Sequence, residues 1–565
     1  MKYSQLVKLK GNSEMQKFTD KVGYENWFQF DNSFVSDKLV NHYIYWFTNT
    51  PIFVKAPTGC GKTFFMEQKI KDNPHLKFLI VSNRIALNSQ IKRRMCEKLG
   101  ARELALMLTD KGIERLEQIK NVTIITYHAL AKRSIDRLKE CRYTYVLADE
   151  CHAIFSESSY FARSSLALDK IVALQDSIRI YFSATPERTF NIILEREIEY
   201  DRRMFNINNL FLTGQSCRGV FPIYYEFFRE QKLYEEIKFF YNLEDLKSVI
   251  STSSNEQTLI FVDWIKEGKK IKELIASWGL SVELVTSYSK VDGNEGNLEY
   301  QEIIKNESFK NQVLVASKVL ETGINLKMQN LKNVIMLTSH SYESFLQCLG
   351  RKRILRNTRK INLFVKILTQ TDLNEQLRKW EDALSKIQEL KENGKQFKAN
   401  LVESLEISEY EGLFFIENEK ICTNPLAEMY LNTQILEYEC LKFELKDNPL
   451  ITALMVLHWL EPGTELTETM IVKGDEPQII ARLKLVELLE NYVGIELENK
   501  SNEQIKFKHE FASIYNAGFN DEKKEEFGLD LIKKKIIKLK LPYVISNAKR
   551  KAWLICKVNE VQDNE

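Results

Sequence analysis

Ala56-Pro57-Thr58-Gly59-Cys60-Gly61-Lys62-Thr63 is the stretch from which this chain is best read. An apolar run, 52–55, precedes it, and a helical pattern from Phe64 to Lys71 follows. Strand, loop, helix is the context in which a glycine-rich loop cradles phosphate. Gly59 and Gly61 let backbone N–H groups approach phosphate oxygens, with Thr58 and Cys60 completing the loop. The helix that follows adds the positive end of its dipole. Lys62 is expected to pair with the β- and γ-phosphates of ATP, and the Thr63 hydroxyl to ligate Mg²⁺. Ala56 stands where the general pattern has its first glycine.

Outward from this loop, short β-branched runs recur at 52–55, 78–82, 122–126, 145–148 and 178–182, with amphipathic stretches between them. Runs apolar on both faces read as buried parallel strands, and the alternation reads as βαβ units. The texture repeats at 259–262, 282–285, 313–316, 334–337 and 363–365. After about 370 it changes. Leu377, Trp380, Leu384, Ile387 and Leu390 keep helical spacing, as do Ile479, Ile480, Leu483, Val486 and Leu489. The expected fold class is α/β: two tandem parallel-sheet domains and a mostly helical C-terminal region. The expected boundaries are an N-terminal segment 1–45, a nucleotide-binding domain 46–205, a second α/β domain 206–370, and a helical region 371–565.

The run 145–148 leads directly into Asp149-Glu150-Cys151-His152. A carboxylate at the C-terminal end of a buried strand sits where an α/β sheet opens its ligand crevice. Asp149 is expected to hold Mg²⁺ through water, and Glu150 to orient or deprotonate the attacking water. Cys151 reads equally as packing. His152 reads either as a γ-phosphate sensor or as a structural hydrogen-bonder.

Composition bounds the rest. The chain has 565 residues, room for three or four domains, and is 44% hydrophobic, which excludes a mainly disordered protein. Lys+Arg is 80 and Asp+Glu 78, so a globally basic nucleic-acid binder is excluded while a local basic patch is not. The N-terminal stretch lacks the apolar core of a signal peptide, and no apolar run reaches membrane-spanning length. Nine scattered cysteines without a C-x-x-C pair argue against a zinc ribbon or a disulfide framework. A cytoplasmic protein with no membrane partner is the expectation.

Together with Ser183-Ala184-Thr185, the phosphate loop and the D-E-C-H box resemble motifs I, II and III of superfamily 2 helicases. Val319-Leu320-Glu321-Thr322-Gly323-Ile324-Asn325-Leu326 resembles motif V, and Gln347-Cys348-Leu349-Gly350-Arg351-Lys352-Arg353 resembles motif VI. The resemblance implies two RecA-like domains that sandwich ATP. It makes Arg351 the first arginine finger and Arg353 the preferred second one. It places Gly323, Asn325 and Gln347 at the nucleotide and Thr322 on nucleic acid. Ser82-Asn83-Arg84 falls at motif Ia and Thr126-Tyr127-His128 at motif Ib, so Asn83, Arg84 and Thr126 are implied backbone-phosphate contacts. The G-R-x-R form of motif VI resembles the herpesvirus origin-binding helicases and their phage and plasmid relatives, which favours DNA over RNA. Movement 3′ to 5′ is implied by the same analogy.

The C-terminal end carries its own signal. Between Leu531 and Val558 there are nine basic residues and no acidic one, against a whole-chain net charge of +2. The segment reads as a helix to about Lys540, then a hairpin with a basic turn containing Lys549, Arg550 and Lys551. That order suits a winged-helix-like nucleic-acid contact, with Trp553 or Tyr543 stacking on a base. A solvated helix face and a buried Trp are the plainer reading of the same residues.

The expected function is an ATP-dependent helicase or translocase on DNA, in plasmid or phage replication or antiviral defence. The alternatives are an RNA helicase, or an ATP-switched nucleic-acid sensor that recruits a nuclease or a replication factor.

Overall fold

The structure is a computed structural model. It describes residues 15–557 apart from 41, 84, 187, 212–218, 229–232, 252–255, 291–292, 318–325, 339–340, 352–359, 394–411, 418–419, 473–476, 520–525, 540, 542 and 550–551.

The first sheet is built from β1 (Trp27–Asp31), β2 (Ile52–Lys55), β3 (Phe78–Ser82), β4 (Gln118–Ile119), β5 (Val122–Thr126), β6 (Tyr145–Ala148), β7 (Ile178–Ser183) and β8 (Ile223–Phe228). Its order is β1-β8-β2-β7-β6-β3-β5-β4, and only the β4–β5 pair is antiparallel. Alternate residues of each strand enter opposite cores. Phe53, Leu79, Val81, Val146 and Tyr181 pack on one face, and Ile52, Val54, Ile80, Leu147 and Phe182 on the other. Both faces are covered, which is why these strands read as unbroken apolar runs.

The second sheet holds β9 (Tyr234–Phe240), β10 (Gln257–Phe261), β11 (Val282–Val285), β12 (Val313–Ala316), β13 (Leu331–Met336) and β14 (Ile361–Lys366). Its order is β11-β12-β10-β13-β14-β9, with every pair parallel. The five strands expected in each domain all lie in these two sheets. Three further strands change the domain limits. β1 lies before residue 46 and β8 after 205, yet both belong to the first sheet, and β9 already belongs to the second. The division therefore falls between Phe228 and Tyr234 rather than at 205, because β8 pairs with β2 and not with its successor in sequence.

Helices that matter for the site are α1 (Lys62–Asp72), α2 (Ile85–Lys98), α3 (Tyr127–Lys132), α4 (Ala153–Ser156) and α5 (Tyr342–Leu349). Beyond the second sheet come α6 (Gln370–Glu392), the hairpin β15 (Phe414–Glu417)–β16 (Lys420–Thr423), α7 (Pro425–Leu445) and α8 (Ile451–Leu460). Thr369 and Asp372 form a capping box that starts α6. Tyr438, Leu441 and Leu445 of α7 and Met455 and Val456 of α8 complete the core beneath the second sheet. Leu426, in the first turn of α7, is buried instead in the core of the first domain. A helix of 21 residues spans about 31 Å, so α7 is a strut with one end in each α/β domain.

The chain ends in a separate core made by α9 (Pro477–Asn491), β17 (Glu496–Glu498), α10 (Asn502–Phe519), α11 (Leu529–Lys538), β18 (Tyr543–Lys549) and β19 (Ala552–Lys557). The three strands form an antiparallel sheet in the order β17-β19-β18. Trp553 and Tyr543 are buried in this core, and the Tyr543 hydroxyl donates to Glu490 Oε2 at 2.6 Å. Neither ring is exposed to stack on a base, and Lys508 Nζ already lies 5.1 Å from the centre of the Trp553 ring. No helix among the described residues is long and apolar enough to cross a membrane.

Candidate nucleotide site and interdomain cleft

The phosphate loop leaves β2 and enters α1 through two left-handed glycines, Gly59 at φ 89° and Gly61 at φ 82°. Only a residue without Cβ takes this conformation without strain. A Cβ at Gly61 would make only ordinary van der Waals contact with Phe34 Cδ1, at 3.5 Å, so it is the left-handed backbone that calls for glycine there. Val35 N–H donates to the Cys60 carbonyl at 2.9 Å, tying the segment before β2 to the loop. Sequence reasoning passed over Phe34, whose ring is half exposed beside the loop, because no local pattern marks it. The Cys60 side chain lies in the core, so any ligand contact at that position is made by backbone.

Lys62 is buried. Its Nζ donates to the Ala56 carbonyl at 2.9 Å and lies 3.6 Å from Glu150 Oε1. Asp149 and Glu150 follow β6. Asp149 Oδ1 accepts from Glu150 N–H at 3.1 Å, and Tyr127 donates its hydroxyl to the Asp149 carbonyl at 3.0 Å. Glu150 is a non-glycine residue at φ 47°, a strained backbone of the kind that clusters at functional sites.

The two carboxylates respond in opposite directions. Burial, then the charge of Glu150, push Asp149 up to about 7, against the pull of Lys62. Burial raises Glu150 too, but Lys62, His152 and Arg351 together hold it below the usual carboxylate range. Glu150 Oε2 is buried and makes no hydrogen bond, although His152 Nδ1 lies 3.4 Å away. A buried carboxylate pair with one oxygen unpartnered is a fitting place for a hard divalent cation. Thr63, half buried one residue after Lys62, is the remaining oxygen donor expected there.

The second domain closes on this site. A Cβ added at Gly350 would come within 3.2 Å of Thr58 Oγ1, so the end of α5 abuts the phosphate loop. Arg351 is buried, donating through Nε to the Gln347 carbonyl at 2.9 Å and through a terminal nitrogen to Gln347 Oε1 at 3.1 Å. That contact sets the Gln347 amide, whose Nε2 is then presented to His152 Nε2 at 3.2 Å. His152 Nε2 accordingly accepts, and Nδ1–H donates to Ser183 Oγ at 3.2 Å. Ser183 Oγ also accepts from Thr185 N–H at 3.0 Å. One polar chain therefore runs Arg351–Gln347–His152–Ser183 from one domain into the other.

Not every expected residue joins this assembly. Asn83 is buried and donates to Glu157 Oε1 at 3.3 Å, while its Oδ1 has no partner. The Thr126 hydroxyl accepts from Ala129 N–H as the N-cap of α3. Lys549 closes β18, and its side chain is not described. Arg84, Thr322, Gly323, Asn325, Arg353, Arg550 and Lys551 lie outside the described residues.

Tertiary contacts also reveal residues without a motif. Asn424, fully buried, caps α7 through Oδ1 on Leu426 N–H. Its Nδ2 lies 3.0 Å from the carbonyls of Ser158 and Phe161 and 2.9 Å from Ser164 Oγ. Ser158 and Phe161 lie in the loop that leaves α4 and Ser164 opens the helix after it, so the strut is anchored to the segment that follows the carboxylate box. Arg163 donates to the Ile416 carbonyl at 2.7 Å, and Arg188 pairs with Glu437, on the same seam.

Residues 25–188 match the family model described as type III restriction enzyme, res subunit, and residues 241–354 match the helicase conserved C-terminal domain. The chain matches none of the curated proteins compared with it. Among solved structures, S. cerevisiae Dbp5 bound to RNA and ADP BeF3 is 13% identical over 64% of this chain and 88% of that one, with a TM-score of 0.40. A DEAD box protein from the hyperthermophile Methanococcus jannaschii is 16% identical over 58% of this chain and 86% of that one, with a TM-score of 0.30. With a family model matched over each sheet, in chain order, residues 25–188 and 241–354 carry the two domains of a superfamily 2 helicase, an ATP-hydrolysing enzyme that acts on nucleic acid.

Proposed function

We propose that this helicase is a DNA motor whose ATP site is assembled between its two α/β domains. The observation that carries the proposal is the Gln347–His152 contact, which puts buried Arg351 into the electrostatic field of Glu150. In this reading Lys62 and the backbone of residues 58–63 hold the ATP phosphates. Thr63 and Asp149 hold Mg²⁺, which when bound neutralises charge on the phosphate oxygens. Glu150 orients water toward the γ-phosphorus. Arg351 stabilises the charge that develops in transfer, an effect worth about 10³–10⁵ in rate where it has been dissected. Arg353, Gly323 and Asn325 are assigned to the same site, and Arg84 and Thr322 to the strand, on their motif positions alone.

DNA is preferred over RNA on the G-R-x-R form of residues 350–353. Asn83, with an unpartnered buried oxygen at the end of β3, is the described residue best placed to meet a strand in the first domain. Thr126 would meet it through backbone, its hydroxyl being used as a cap.

The test is ATP hydrolysis with no nucleic acid, single-stranded DNA, duplex DNA and single-stranded RNA, beside Lys62→Ala. Stimulation by DNA that disappears in the variant supports the reading. Stimulation by RNA alone replaces DNA with RNA. Slow turnover indifferent to every strand replaces the motor with a switch that awaits a protein partner.

A further inference from the structure

The basic C-terminal segment has no part in the ATP site, and its own fold points to a second site. Helix α9, strand β17, helices α10 and α11, then the hairpin β18–β19, follow one another around a single core. Helix-turn-helix units present the second of two successive helices to a DNA groove; α10 and α11 follow that order, with a longer connection of nine residues, 520–528, between them.

Helix α11 is sharply two-faced. Ile532, Ile536 and Leu539 enter the core, and Lys535 is buried with its Nζ 4.4 Å from the centre of the Tyr515 ring. The opposite face carries Lys533, Lys534, Ile537 and Lys538. On a 3.6-residue period these four form one contiguous stripe. Ile537, 73% exposed, is the one apolar side chain within this lysine stripe. Asp530, in the first turn, is the one carboxylate on that face, so the phosphate-attracting part is the later two turns.

We infer that α11 docks in the major groove of duplex DNA, with Lys533, Lys534 and Lys538 on backbone phosphates and Ile537 against base edges. The inference rests on the DNA reading above and names a distinct DNA element, the double-stranded one. Three arguments select that occupant. The first is charge: residues 531–558 hold nine cations and no carboxylate. The second is what the surface lacks for an unpaired strand. Single-strand sites stack bases on exposed aromatic rings. Among the described residues of this unit, the exposed large apolar side chains are Ile495, Ile505, Ile537 and Val544, none of them aromatic. The third is fit. A helix with its side chains is about 10–12 Å across, which the roughly 12 Å major groove of B-DNA admits. The deep, narrow major groove of A-form RNA does not.

The experiment is fluorescence anisotropy on the full chain without nucleotide, using a blunt DNA duplex two helical turns long, an RNA duplex of the same sequence, and single-stranded DNA. Lys533→Gln/Lys534→Gln/Lys538→Gln is expected to weaken DNA-duplex binding roughly tenfold or more and to make its salt slope shallower by about 3. Ile537→Ala is expected to weaken duplex binding with the slope unchanged. Lys534, Ile537 and Lys538 are exposed and Lys533 partly so, and unaltered melting temperatures will show that the fold is kept. RNA duplex bound as tightly as DNA duplex, or a triple variant with unchanged affinity and slope, overturns the inference. Failure of DNA to stimulate ATP hydrolysis, with groove binding intact, overturns the motor reading alone.

Discussion

Gln347 and His152 meet across the interdomain cleft with their side-chain nitrogens 3.2 Å apart. Neither is a charged catalytic group, yet together they link Arg351 to Ser183 through buried hydrogen bonds. A buried bond left half made costs about 1–3 kcal/mol. Gln347→Ala is therefore expected to lower nucleic-acid-stimulated kcat by about 10–100-fold, with a much smaller change in KM for ATP. Steady-state phosphate release measures both. Loss confined to KM would show that the pair serves only to hold nucleotide.

Arg179 and Glu197 form a two-pronged pair inside the first domain, at 2.7 and 3.0 Å, with both side chains almost wholly buried. Tyr181 donates to the same carboxylate at 2.6 Å. Glu197→Ala strands a buried guanidinium, which should cost about 3–5 kcal/mol. Denaturant unfolding will read this as an earlier first-domain transition. A loss below about 1 kcal/mol would mean that water reaches Arg179.

Asn424 holds the near end of the α7 strut. Asn424→Ala removes a helix cap worth about 1 kcal/mol and strips a donor from the Ser158 and Phe161 carbonyls. Hydrogen exchange should speed up at 158–164 and in the first turns of α7, while the end of α7 near Leu445 stays protected. Uniform acceleration along α7 would show that the two ends are not anchored separately.

Glu267 titrates against a crowded setting. Burial first, then Asp263 and Asp372, push it up from 4.5 to about 7, opposed by Lys366 and Lys379. A folded value above the unfolded one gives stability that is complete below the unfolded value and lost as pH rises through the folded one. The wild type should therefore lose stability between about pH 4.5 and 7 relative to Glu267→Gln. At pH values above this window the variant should be the more stable of the two, as melting temperature against pH will show. Parallel curves would place the Glu267 carboxyl in water.

The sequence alone carried the local parts of the candidate site. Each glycine, lysine and carboxylate of the phosphate loop and D-E-C-H box sits at a strand end, where local backbone chemistry dictates residue type. The ten expected strands were legible because burial on both faces leaves a continuous apolar run. Strands β1, β8 and β9 were not, because Trp27–Asp31, Ile223–Phe228 and Tyr234–Phe240 mix aromatic and charged residues and take their places by pairing with distant partners. Likewise nothing local marks Phe34, Asn424 or the Arg179–Glu197 pair, whose partners are supplied by other elements. The tertiary structure alone decided which end of α7 enters which domain, that Trp553 and Tyr543 are core rather than stacking residues, and that Arg351 reaches His152 through Gln347. These are relations between segments tens to hundreds of residues apart. Spacing along the chain constrains such distances weakly, whereas packing density and the need to satisfy buried polar groups constrain them tightly.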